Sequence, residues 1–73
     1  MRVYIVREAT FASIEAVHTT KANAVASATQ SMHDLPFHVD ELAKPDRFGV
    51  VAQVRFIKHG AIAYDVVEME VRE

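Results

Sequence analysis

The sequence predicts an α+β domain in the order β-β-α-β-β-β, an antiparallel sheet of four or five strands with one helix packed on one face. Three observations carry this expectation. Apolar residues alternate with a period of two near both ends of the chain, a single interval between Thr20 and Pro36 abandons that period, and His59-Gly60 separates two long β-rich runs.

The first strand spans residues 2–8, where Val3 and Ile5 alternate with Tyr4 and Val6 in a β-branched, aromatic run suited to the centre of a sheet. A hairpin through Ala9 and Thr10 leads to a second strand over residues 11–18, with Ala12, Ile14 and Ala16 on one side and Phe11, Ser13, Glu15 and Val17 on the other. Thr19 and Thr20 then stand where an N-cap hydroxyl satisfies free backbone donors. The helix that follows is expected over residues 21–33, burying Ala22, Val25, Ala26, Thr29 and Met32, with small side chains that let its axis approach the sheet closely. Asp34 and Pro36 end it, because the residue before a proline avoids the helical region.

Phe37 to Leu42 alternates again and reads as a short third strand whose charges suit an edge. Pro45, Asp46 and Gly49 mark a loop before the apolar run at Val50. Val50 to Lys58 and Ala61 to Val71 then form a hairpin, Gly60 supplying the positive φ that a tight turn demands. With a two-residue turn at His59-Gly60, Phe56 faces Ala63, Val54 faces Asp65 and Ala52 faces Val67. That register places Val51, Gln53, Arg55, Ile57, Ile62, Tyr64, Val66 and Glu68 together on the sheet face opposite Phe56 and Val67.

A chain of 73 residues holds one domain, residues 1–73. At 51% hydrophobic and 25% charged it is too apolar for a disordered segment. No stretch approaches the roughly 18 uninterrupted apolar residues of a membrane span, and Arg2 runs straight into Val3 without an export-type apolar region. The absence of cysteine removes disulfides and thiolate zinc sites, so a cytoplasmic location without membrane association is expected. A net charge of -2 supplies no strong field for phosphates, and direct nucleic-acid binding is not expected.

Motifs for chemistry are sparse. His18, His33, His38 and His59 lack the spacing of a ligand set, and Asp34, Asp40, Glu41 and Asp46 read as solvated charge, so neither a metal nor another cofactor is expected. Ser13, Ser27 and Ser31 have no glycine elbow, and two glycines cannot form a phosphate-cradling loop, so no catalytic residue is assigned and an enzyme is disfavoured. The second hairpin face is the better candidate. Ile57, Ile62, Tyr64, Val66 and Val51 would form an apolar patch too large for a monomer to leave bare. Arg55 shares their face, so Arg55, Ile57, Ile62, Tyr64 and Val66 are the candidate contact residues, tyrosine and arginine being common at interface centres. Either a partner covers it or the early strands curl over it as a partial barrel.

Val3-Tyr4-Ile5-Val6-Arg7-Glu8, Ile14-Glu15-Ala16, Thr20, Ala22 and Val25-Ala26-Ser27 resemble the strand, strand, helix opening of small phage-encoded proteins, including some type I-F anti-CRISPR inhibitors. The resemblance covers about the first 30 residues, mostly apolar positions. It implies a phage protein that inhibits a host defence complex by binding it. Asn23 and Ala24 stand where such an inhibitor carries a lysine and an arginine on its helix, so no binding residue carries over.

The reading is therefore a non-catalytic protein-binding module, an inhibitor of a host defence or regulatory complex, with a host protein or ribonucleoprotein as partner. The alternative is a homodimeric α+β-barrel that binds a ligand or acts as a small enzyme with a cavity histidine. Because no metal is expected in the fold, a chelator should leave the melting temperature unchanged, and a fall reversed by zinc would contradict this.

Overall fold

The computed structural model describes residues 1–72. Its elements are β1 (Arg2–Glu8), β2 (Ile14–His18), α1 (Lys21–Gln30), β3 (Phe37–Glu41), β4 (Val50–Phe56) and β5 (Ile62–Glu70). The five strands form one antiparallel sheet in the order β2-β1-β5-β4-β3 with a single helix, so the expected α+β architecture and element order are observed. β1 lies inside the sheet and β3 at its edge, as their compositions suggest.

β1 pairs with β5 without a break, from Arg2↔Glu70 through Val6↔Val66 to Glu8↔Tyr64. This ladder assigns the two faces. Val6 is also opposite Ala16, and Val66 opposite Ala52, so Ala16, Val6, Val66 and Ala52 form a row across four strands. All four belong to, or pack against, the cluster beneath α1 that also holds Ala24, Ala28, Met32 and Val54. The neighbouring row, Val17, Ile5, Val67 and Val50, therefore lies on the opposite face.

Thr20 caps α1, its hydroxyl accepting from Asn23 N at 3.2 Å. The helix ends earlier than expected. Ser31 closes it, short turns follow through Met32 and His33, and His33 takes the left-handed conformation at φ 54°. Its phase also differs. Ala24, Ala28 and Met32 are buried and Val25 partly so, whereas Ala22 and Ala26 face solvent. Alanines at 22, 24, 26 and 28 alternate with mostly polar residues, so hydrophobicity is spread around the helix and marks no single stripe. The choice falls to Met32, the largest fully buried side chain, which shares an i, i+4, i+8 line with Ala24 and Ala28.

The β4–β5 register also differs from the expected one. Ala52 pairs with Val66, Gln53 with Asp65 and Val54 with Tyr64. The turn is wider than two residues: Gly60 N donates to Phe56 O and Phe56 N to Ala61 O, making Ile57 to Gly60 the connection. Gly60 does adopt positive φ, at 72°. The slip of one residue moves β5 to the other face relative to β4. Tyr64 and Val66 consequently join Ala52 and Val54 under the helix, and the expected grouping with Arg55 is overturned.

β2 is shorter than expected, because Phe11 to Ser13 belong to the first turn. There Ala12 is left-handed at φ 54°. The sheet is open, with β2 and β3 at opposite edges, so the early strands do not curl over the second face.

The observed helix phase has a direct check. Ala28→Leu forces extra methylenes into a fully buried site and should destabilise by about 1–3 kcal/mol, while Ala26→Leu on the solvent side should change stability by less than about 0.5 kcal/mol. Paired thermal melts give the comparison, and equal effects would contradict the phase.

Candidate functional site

The face opposite α1 is divided into an apolar and a polar half, and the division follows from strand register. In the apolar half Ile5 stands between Val17 and Val67, Val67 faces Val50, and Val3 faces Met69. Val50 and Val67 are buried, whereas Val17 is 58% exposed and Met69 50%. Ile14, opposite Arg7, is 64% exposed and extends the apolar surface along the β2 edge.

The polar half is a cross-strand network one row further along. Arg7 and Asp65 are register partners, and Arg7 Nε and Nη2 donate to the two carboxylate oxygens at 2.9 and 3.1 Å. The hydrogen bonds that Arg7 donates to Asp65 raise its pKa above its ordinary value, against the lowering effect of burial. Asp65 faces Gln53, and Gln53 faces Asp40. Arg55 ties this row together by donating to Asp40 Oδ2, Gln53 Oε1 and the Gly60 carbonyl at 3.0–3.1 Å. His38 Nε2 lies 2.8 Å from Asp40 Oδ1. Each arginine in the row thus meets a carboxylate of the same chain.

At the end of β4 the Ile57 to Gly60 connection opens a shallow cleft of about 400 Å³ lined by His38, Arg55, Phe56, Ile57 and Gly60. Ile57 N donates to Pro36 O at 3.4 Å, and the rings of Phe56 and His59 are 4.9 Å apart.

The residues expected to share a contact face are separated. Val66 is fully buried beneath α1, and Tyr64 is packed against the same cluster. Arg55 belongs to the polar network on the other face with Ile62 as its register partner, while Ile57 sits 62% exposed in the connection. The structure brings Arg55 together with Ile62 as register partners and with Ile57 at the cleft, but not the set of five. Sequence reasoning missed Val3, Ile5, Val17 and Met69 as one surface. Their period-two alternation was visible in β1 and β5, but only the β1–β5 ladder makes them neighbours.

Glu8 holds the first turn. Glu8 accepts from the amides of Phe11 and Thr10 at 2.8 and 2.9 Å, and these backbone bonds, Phe11 first, hold its pKa below the usual glutamate range. Among the described residues, no group of three or more His, Asp or Glu side chains is arranged to hold a metal ion. His18 Nε2 is buried without a hydrogen-bond partner among the described residues. Comparison with protein-family models, with curated proteins and with solved structures finds no match to this chain.

The Glu8 turn makes acid stability testable. A carboxylate whose folded pKa is depressed contributes stability above its unfolded pKa and loses it as pH falls through the folded value. The difference in urea midpoint between the wild type and Glu8→Gln should therefore be constant near neutrality and shrink as pH drops through the carboxylate range. A difference independent of pH would show that the Glu8 charge is not what the turn amides hold.

Proposed function

We propose that the chain is a non-catalytic protein-binding module that uses the apolar half of the sheet face opposite its helix. The observation that supports this reading is the exposed set of Ile14, Val17 and Met69 beside Val3 and Ile5, on a face that no helix covers among the described residues. Exposed aliphatic side chains gathered on one rigid surface are a liability to a monomer and a gain to a complex. The flanking polar network suits a rim. Arg7 and Asp65 already neutralise one another, so a partner can approach without an unpaired charge being buried.

The partner is a protein, or the protein surface of a ribonucleoprotein. Inhibition of a host defence complex is the role that the resemblance of residues 3–27 implies, and it calls for this kind of surface rather than for a catalytic constellation. Val17 lies on the edge strand β2 and Met69 near the end of β5, and both are at least half exposed.

Affinity capture with the tagged chain tests the surface. Val17→Glu and Met69→Glu place a carboxylate in the proposed contact and should each weaken capture of the wild-type partner by at least about 2 kcal/mol in binding, with melting temperatures unchanged. Leu35→Glu, an exposed position at the far end of the molecule, should bind as the wild type does. Capture that survives both charge insertions would overturn the assignment.

A further inference from the structure

β3 is a short, charged edge strand that no bulge interrupts. The other edge, β2, is broken by a bulge opposite Val6 and Arg7, a device that discourages strand addition. β3 pairs with β4 in unbroken register from Phe37↔Phe56 to Glu41↔Ala52, and it contains neither lysine nor proline. Its free backbone groups can be identified. Leu42 N donates to Val51 O and Ile57 N donates to Pro36 O, both in the β3–β4 register. Alternation then turns the N–H and C=O groups of His38 and Asp40 toward β4, and those of Phe37, Val39 and Glu41 outward.

We propose that this edge is a homodimer interface, in which β3 pairs antiparallel with β3 of a second copy about a twofold axis at Val39. In that register Val39 exchanges both backbone bonds with the partner's Val39, and Phe37 and Glu41 do so with the partner's Glu41 and Phe37. Every outward donor and acceptor of the strand is then used. His38 and Asp40 fall in the closely spaced, non-hydrogen-bonded positions opposite the partner's Asp40 and His38, with Cα atoms about 4.5 Å apart.

Side-chain complementarity selects this register over its neighbours. Shifting the pairing by two residues, the smallest step that keeps outward groups facing outward groups, sets His38 against the partner's His38 in one direction and Asp40 against the partner's Asp40 in the other. Only the Val39-centred register places unlike groups opposite one another at both positions. Arg55 and Lys21 already hold Asp40 and Glu41, at 3.1 and 3.7 Å, so neither carboxylate enters the interface without a cation. On the helix side Phe37 is 37% exposed and Val39 half-buried, and the second copy would cover both. The result is a continuous ten-stranded sheet with both helices on one side. This dimer does not use the apolar half of the open face, so it stands or falls separately from the binding role proposed above.

Sedimentation of the full chain from about 1 µM to about 1 mM, combined with amide hydrogen exchange, tests the proposal. The expected result is a concentration-dependent doubling of mass, accompanied by slowed exchange at the amides of Phe37, Val39 and Glu41. His38→Glu sets a carboxylate opposite the partner's Asp40 twice per dimer and should raise the dissociation constant about tenfold, whereas His38→Lys should retain the dimer. Val39→Pro removes only an outward N–H, a substitution that edge strands accommodate, and should leave a folded monomer. If it does not fold, the His38 pair still decides. A monomer throughout the concentration range would overturn the proposal. So would a dimer whose three outward amides exchange as fast as in the monomer, or one indifferent to His38→Glu.

Discussion

The antiparallel pairing of β1 with β5 is the constraint on which the rest of the structure depends. It joins the two ends of the chain in the middle of the sheet, and Val71 N donating to Met1 O at 2.7 Å carries it past the strand ends. Contacts of such sequence separation carry a loop-closure cost that grows slowly with length and must be met by what the contact buries. Here the return is the row Val6, Val66 and Ala52, each almost fully buried, on which α1 rests. Because the register is unbroken, the same ladder that puts Val6 under the helix puts Ile5 and Val67 on the other side.

The helix contributes little bulk and depends on closeness. Ala24 and Ala28 are fully buried against the sheet, and Met32 fills the space beyond them with an adaptable side chain. Two alanines at i, i+4 allow the helix axis to approach, but a contact made with so few methyl groups tolerates no enlargement and covers one face only. The face opposite α1 is left uncovered because the one helix among the described residues lies on the other side.

That uncovered face separates its polar and apolar residues by rows, and the separation bears on both proposals. Arg7 with Asp65, and Arg55 with Asp40, are half-exposed ion pairs worth little in stability by themselves. Their effect lies in geometry. Arg55 also holds Gln53 and the carbonyl of Gly60, so the hairpin end, the β4 row and the β3 edge are fastened to one guanidinium. Neutralised charge lies beside exposed aliphatic surface, and His38 meets Asp40 on the β3 edge at 2.8 Å.

The existence of the elements was determined by the sequence itself. Period-two alternation marked β1, β3, β4 and β5, the Thr20 hydroxyl marked the helix start, and charge marked β3 as an edge, because each of these signals acts between residues close in the chain. Register, phase and neighbourhood were decided only by tertiary structure. The hairpin turned out one residue out of the expected register because Ile57 to Gly60 closes by a wider turn, and in a strand such a slip exchanges the faces of Tyr64 and Val66 with those of Asp65 and Val67. The helix phase was undetermined because four alternating alanines are equivalent until a sheet selects two of them. The candidate surface was hidden for the same reason: Val17, Ile5 and Met69 come from three strands, and only the pairing of β1 with both β2 and β5 makes them adjacent.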